Sequence, residues 1–289
     1  MHYEGTIYRP PSEANSILLQ ITTGCSHNRC TFCEMYRDKR FTVKETDTIM
    51  ADINFAAAHF PHHRKLFLCD GDALIVPQAK LVEILRAIRR HLPGLARVAT
   101  YANVKSIRFK SDEELAELVE LGLTMACVGL ESGDDVTLAA IDKGNDSAQA
   151  IAQCIRLQRA GFKLSLTVLL GIAGIARSEI HARETGRVLT AIDPKFIGAL
   201  TLMLTPGTPL FADAEAGRFH LPDARGVLRE LEIMFETTTL SGGLFHANHA
   251  SNYLPLRARL PRDRERVLSE IRAALRGETS LKSESRRGL

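Results

Sequence analysis

The sequence predicts an α/β fold: an incomplete (β/α)6 TIM-type barrel with an N-terminal arm and a helical C-terminal extension. Three observations predict it. Apolar runs of strand length recur six times with amphipathic, helix-length segments between them. Right-handed connections of that kind return each strand in the same direction, giving a parallel sheet with helices outside it. A cysteine-rich loop follows the first strand where an open doubly wound sheet would carry a glycine-rich phosphate turn. Finally, 289 residues with 45% hydrophobic content suffice for one barrel.

Met1 to Asn15 is polar and carries Tyr8-Arg9-Pro10-Pro11, which reads as an extended arm. Tyr8, Arg9 and Glu13 precede the first strand directly, so they either fold across one barrel end or lie on the surface. Predicted strands are Ser16 to Ile21, Lys65 to Cys69, Arg97 to Tyr101, Met125 to Leu130, Lys163 to Leu170 and Phe196 to Met203. Helical periodicity covers Val43 to Ala58, Gln78 to His91, Asp112 to Leu121, Ser147 to Ala160 and Ser178 to Ala191. Ser111 followed by three acidic residues marks a helix start, and Gly122 and Gly161 mark helix ends. Beyond the sixth strand come a turn-rich stretch from Leu204 to Leu210, a helix from Pro222 to Glu236 and a loop from Thr237 to Gly243. A polar-rich stretch from Leu244 to Leu256 and a last helix from Arg262 to Leu275 follow. The composition from Arg276 onward suggests a frayed tail. The expected organisation is an arm (1–15), a core barrel (16–210), an extension covering it (211–275) and a flexible tail (276–289).

Lys and Arg number 37 against 34 Asp and Glu, a net +3 spread along the chain, without the basic footprint of an obligate nucleic-acid binder. The N-terminus has no signal-peptide pattern and no window approaches a membrane span, so the expectation is a cytoplasmic protein without membrane contact. Of six cysteines, Cys25, Cys30 and Cys33 share one loop, while Cys69, Cys127 and Cys154 are isolated in apolar patterns; this is no disulfide framework.

The C-x4-C-x2-C spacing of Cys25, Cys30 and Cys33 gives three soft thiolates, which suit an iron-sulfur cluster or zinc. Zinc would need a fourth ligand, for which His27 is available, closing a Cys3His knot. A 4Fe-4S cluster on three cysteines would leave one iron open to a substrate or cofactor. The loop follows the first strand, which puts it at the C-terminal mouth, where barrels build active sites.

Cys25 to Cys33, with Phe32 before the last cysteine, resembles the cluster motif of the radical S-adenosylmethionine (radical SAM) superfamily. The family's usual spacing is C-x3-C-x2-C, so this loop has one extra residue. The resemblance runs over about residues 16 to 210. Cys69-Asp70-Gly71-Asp72-Ala73-Leu74 resembles the segment that contacts the methionyl amine of SAM, which implies roles for Gly71 and Asp72. Val128-Gly129-Leu130-Glu131-Ser132-Gly133-Asp134-Asp135, with Lys143 behind it, is similar to the coproporphyrinogen dehydrogenase and Elongator-type branch. That likeness implies that Glu131, next to Ser132, binds the ribose or amine and that Lys143 pairs with the SAM carboxylate. Leu170-Gly171-Ile172-Ala173-Gly174 resembles the stretch lying against adenine, so Gly171 and nearby Thr167 join the expected cofactor contacts. That branch typically carries acidic residues where this chain has Thr167 and Asn103. Thr205-Pro206-Gly207-Thr208-Pro209 resembles a scaffold turn.

The resemblance implies a 4Fe-4S cluster and SAM as cofactors. It also implies reductive cleavage to a 5'-deoxyadenosyl radical that abstracts hydrogen from an unidentified substrate, with a flavodoxin- or ferredoxin-type electron donor as partner. His246, Asn248, His249 and Asn252 are candidate substrate contacts; the other reading is that they satisfy backbone groups in the barrel wall. Two further readings stay open: a haem- or partner-binding protein that keeps cluster and SAM, and a zinc-structured barrel.

Overall fold

The computed structural model describes residues 1–288. After a 3-10 turn at Pro11–Glu13, the chain runs through β1 (Ile17–Gln20), β2 (Thr22–Thr23), β3 (Thr42–Val43), α1 (Thr46–His59), β4 (Lys65–Cys69), α2 (Gln78–His91) and β5 (Arg97–Ala102). Then come α3 (Val104–Arg108), α4 (Asp112–Glu120), β6 (Leu123–Glu131), α5 (Asp135–Ala140), α6 (Ser147–Arg159), β7 (Lys163–Leu170), α7 (Gly174–Ile192) and β8 (Phe196–Thr201). The last elements are α8 (Pro209–Glu215), α9 (Ala224–Thr237), β9 (Leu244–Ala247), β10 (Leu256–Arg259) and α10 (Arg264–Leu275). No helix among the described residues is long and apolar enough to cross a membrane.

The chain divides into two compact units, one of Met1–Asn28, Met35–Val128 and Gln153–Leu164, the other of Arg29–Glu34, Gly129–Ala152 and the chain from Ser165 onward. In the first, β1, β4, β5 and β6 pair in parallel in that order. Leu19, Leu66, Phe67, Leu68, Ile49 and Ile84 are fully buried there, the strands sealed by the apolar faces of α1 and α2. The arm is fastened to this unit. Glu13 is buried in an ion pair with Arg97, the His2 amide donates to Asp52 at 2.8 Å, and the Tyr3 hydroxyl donates to the Leu18 carbonyl.

In the second unit, β7, β8 and β9 are parallel and β10 closes the edge antiparallel to β9. This adds two short strands to the expected helical extension. Leu244–Ala247 and Leu256–Arg259 are only four residues long and carry His or Arg at alternate positions, so their period-2 signal is brief. The structure also adds α3, α5 and α8, each under eight residues, and starts α7 four residues early, at Gly174. Each short helix has a side-chain cap, from Asn103, Asp134 and Thr208. The region expected to fray is docked at Arg287, which is buried. Its guanidinium donates to the Ser251 carbonyl at 2.6 Å and to the Tyr253 hydroxyl at 2.5 Å.

Candidate active site

All six cysteines are free thiols, and Cys25, Cys30 and Cys33 are partly exposed whereas the other three are buried. Among the described residues no three His, Cys, Asp or Glu side chains converge tightly enough to hold a metal by themselves. Gly24, at φ +72°, turns the chain out of β2 into the loop, and its carbonyl accepts the Gly71 amide at 3.1 Å. That bond lays the loop after β4 against the first cysteine. A side-chain carbon added at Gly71 would stand 2.7 Å from the Tyr36 ring and 3.1 Å from Cys25 Cβ, so only glycine fits.

Asp72, the next residue, is fully buried. Its Oδ2 accepts from Ser26 Oγ at 2.5 Å and Asn103 Nδ2 at 2.6 Å, while its Oδ1 has no donor. Burial outweighs those hydrogen bonds and pushes the carboxyl up to about 6. Asp70 is also buried, held by Gln20 at 3.2 Å and Lys39 at 3.4 Å, and its carboxyl is likewise raised by burial. Asn103 thus has two tasks: it caps α3 through its Oδ1 and holds Asp72 through its amide.

In the second unit, the Arg29–Glu34 segment is anchored by backbone bonds. The Thr31 amide donates to the Ile141 carbonyl, and the Thr31 carbonyl accepts from Leu210, both at 3.0 Å. Phe32 packs on the apolar cluster of Ile141, Leu169, Ile172, Leu202 and Leu210. Gly171 follows β7 at φ +84°, where a β-carbon would come 3.0 Å from Leu221.

Glu131 ends β6 at φ +62°, a left-handed conformation that costs about 1 kcal/mol or more for a residue with a side chain. Its Oε1 accepts from Lys143 Nζ at 3.0 Å, and the pair lies over Gly129, where any side chain would collide with it. The strained turn is held from behind. Ser132 Oγ lies 2.7 Å from His181 Nδ1, and His181 Nε2 lies 3.4 Å from Glu230 Oε1. Glu230 also accepts from the Gly171 amide at 2.6 Å and from the Ser178 hydroxyl. Ser132, His181 and Glu230 are all fully buried. Asp134 caps α5 and takes Arg177 bidentately at 2.8 and 2.9 Å. Burial opposes its ionisation, but Arg177 and Thr137 prevail and pull the carboxyl down to about 2.

Of the four candidate substrate contacts, Asn252 is committed to the fold: its amide bonds Thr201 Oγ1 and the Ala199 carbonyl, each at 2.8 Å. His249 faces Ser251 Oγ at 2.9 Å. His246 and Asn248 belong to β9 and the residue after it, beside Arg257. The sequence marked Asn103 only as a departure from the similar branch, and gave no role to Ser26, His181 or Glu230. The last two sit in ordinary amphipathic helices, where a buried polar residue leaves no periodic trace.

The family model for the radical SAM superfamily matches residues 19–184. No curated protein sequence matches the chain. Among solved structures, it is similar to the radical SAM methyltransferase TsrM from Kitasatospora setae, solved with cobalamin and a [4Fe-4S] cluster. The identity is 19% over 72% of this chain and 41% of that one, with a TM-score of 0.56. Methylornithine synthase (PylB) is 16% identical over 78% of this chain and 63% of its own, with a TM-score of 0.54. Coproporphyrinogen III oxidase (HemN) from Escherichia coli is 13% identical over 76% and 51%, with a TM-score of 0.56. The chain thus spans less than two thirds of these structures' lengths, and identities this low speak to the shared α/β partial-barrel fold. With a family match over more than half its length and the strand-end loops just described, the chain belongs to the radical SAM superfamily.

Proposed function

We propose that the chain is a radical SAM enzyme whose Cys25, Cys30 and Cys33 hold a 4Fe-4S cluster and whose strand-end loops bind SAM. The observation that carries this reading is Asp72: a fully buried carboxylate, on the loop beside Cys25, with one oxygen lacking any donor. An unpaired buried acceptor of that kind costs about 1–3 kcal/mol and calls for a cationic or N–H donor. The methionyl ammonium supplies one.

The donor set matches the cofactors in kind. Three partly exposed free thiols on one loop suit a cluster with an open iron. When bound, the reduced cluster and SAM supply homolysis of a sulfonium carbon-sulfur bond, giving a 5'-deoxyadenosyl radical that takes hydrogen from the substrate. The protein's own part is positioning. Asp72 accepts the ammonium and is kept ionised by it. Lys143 offers a cation to the SAM carboxylate, and Glu131 offers acceptor oxygens to ribose hydroxyls. Gly71 and Gly171 let the ligand approach the main chain, with Phe32 and Ile172 supplying the apolar surface for adenine. Ser132 acts through His181, holding the turn that presents Glu131.

Residues 16–210 form the catalytic core in this reading, with 211–275 as its cover, and a flavodoxin- or ferredoxin-type protein as electron donor. Six free cysteines suit a reducing, cytoplasmic setting. The test is anaerobic purification with metal analysis. The expected result is a brown protein with about four irons and absorption near about 400 nm, lost in Cys25→Ala, Cys30→Ala and Cys33→Ala. A colourless protein with stoichiometric zinc would overturn it.

A further inference from the structure

The sheet of the second unit carries a row of side chains that its packing does not employ. Register sets Thr167 of β7 beside Gly198 of β8, Gly198 beside His246 of β9, and His246 beside Arg257 of β10. In-register neighbours project from the same face, so the four stand in one line across the sheet. The other face is the packed one. Leu166, Val168, Ala199 and Phe245 are at most 2% exposed, and Phe245 meets Phe235 of α9 edge to face. Thr167, Gly198 and His246 are half-buried, and Arg257 is exposed.

This row is arranged for a ligand in three respects. Among the described residues, neither the Thr167 hydroxyl nor the His246 ring has a hydrogen-bond partner. The Arg257 guanidinium is oriented: with the Asn248 amide turned to suit both groups, Nε and Nη2 donate to its oxygen at 3.1 and 2.9 Å, leaving Nη1 to spare. Gly198 opens a gap, since a β-carbon there would meet nothing closer than 3.7 Å. Thr167 and His246 therefore flank a niche two strand spacings wide, about 10 Å. Burial, and then the Arg257 charge, keep the His246 ring below its usual range, so it is a neutral donor at pH 7.

We propose that this row binds an anionic group of the substrate, a carboxylate or phosphate, seated over Gly198 between Thr167 and His246 and paired with the spare Nη1 of Arg257. The proposal rests on the reading above that the chain acts on a substrate, and it names that substrate's chemistry: it carries an anion. It also moves Thr167 from the cofactor to the substrate. Arginine on an edge strand can serve merely to block strand pairing. Arg259, two residues along β10 on the same face, is the control for that role.

The test is a titration of the full-length protein, without SAM, by inorganic phosphate and separately by succinate, following histidine ring signals by NMR. The His246 signal is assigned from its loss in His246→Gln. The expected result is a saturable shift of that signal with at least one anion, weakened tenfold or more in Arg257→Gln and unchanged in Arg259→Gln. The anion that binds more tightly identifies the group. No saturable shift with either anion would overturn the proposal, as would equal weakening in both arginine variants. Because SAM is absent from the titration, failure of the cofactor reading shows separately, as wild-type protein that takes up no cluster.

Discussion

Two strand-end loops of this protein treat their carboxylates in opposite ways. After β4, Asp72 is buried with one oxygen unpaired, and its carboxyl is pushed up to about 6. After β6, Glu131 is matched by Lys143 and Asp134 by Arg177, and Asp134 is pulled down to about 2. The second loop is complete as it stands; the first lacks a donor. A buried group that the fold leaves unsatisfied marks where a ligand contributes, and groups the fold has paired mark where geometry is being held.

The largest expected effect falls on the support of the paired loop. Glu230→Ala would strip partners from the Gly171 amide, Ser178 and His181 at once, costing about 3 kcal/mol in urea unfolding. Glu230→Gln keeps an acceptor and should cost about 1 kcal/mol. Equal losses in the two variants would mean that Glu230 acts by packing alone.

The next effect separates the loops by pH. Asp72's folded pKa lies above its unfolded value, so between about pH 4 and pH 6 the folded state binds the extra proton. Stability of the cluster-free protein should therefore fall by about 3 kcal/mol as pH rises through that window, and Asp72→Asn should flatten the slope. Asp134 behaves in the opposite sense. Its depressed pKa contributes stability that is present above about pH 4 and lost as pH falls toward 2. Arg177→Ala should remove part of that contribution, seen as a smaller difference between unfolding at pH 7 and at pH 2.

The paired loop also has a ligand-facing side. Lys143→Ala should weaken SAM binding to the reconstituted protein about tenfold, or about 1.4 kcal/mol, with little change in melting temperature. Unchanged affinity would leave the Glu131–Lys143 pair as a structural contact and sharpen the contrast with Asp72.

The strand-helix alternation was legible in the sequence because long periodic segments announce themselves; β4, α2 and β7 match their predicted bounds residue for residue. The short elements outside that alternation were not, since β9 and β10 give two alternations each and α3 and α5 fewer than two turns. The loops carrying Cys25, Gly71 and Glu131 were singled out by spacing and resemblance. What lay beneath them was hidden, because Asn103, His181 and Glu230 reach their partners across 31, 49 and 59 residues of chain, respectively, and no local pattern encodes such a pairing. Asn252 shows the converse: a polar cluster that reads as a site from sequence spends its amide on Thr201 and Ala199.

The proposed service of the cysteine loop and the unpaired Asp72 in SAM cleavage is tested by incubating the anaerobically reconstituted, reduced protein with SAM and measuring 5'-deoxyadenosine by chromatography. The expected result is time-dependent 5'-deoxyadenosine from the wild type, none from Cys25→Ala, and less from Asp72→Asn. A cluster-loaded, reduced wild type that binds SAM yet forms no 5'-deoxyadenosine, with or without added substrate candidates, would contradict it.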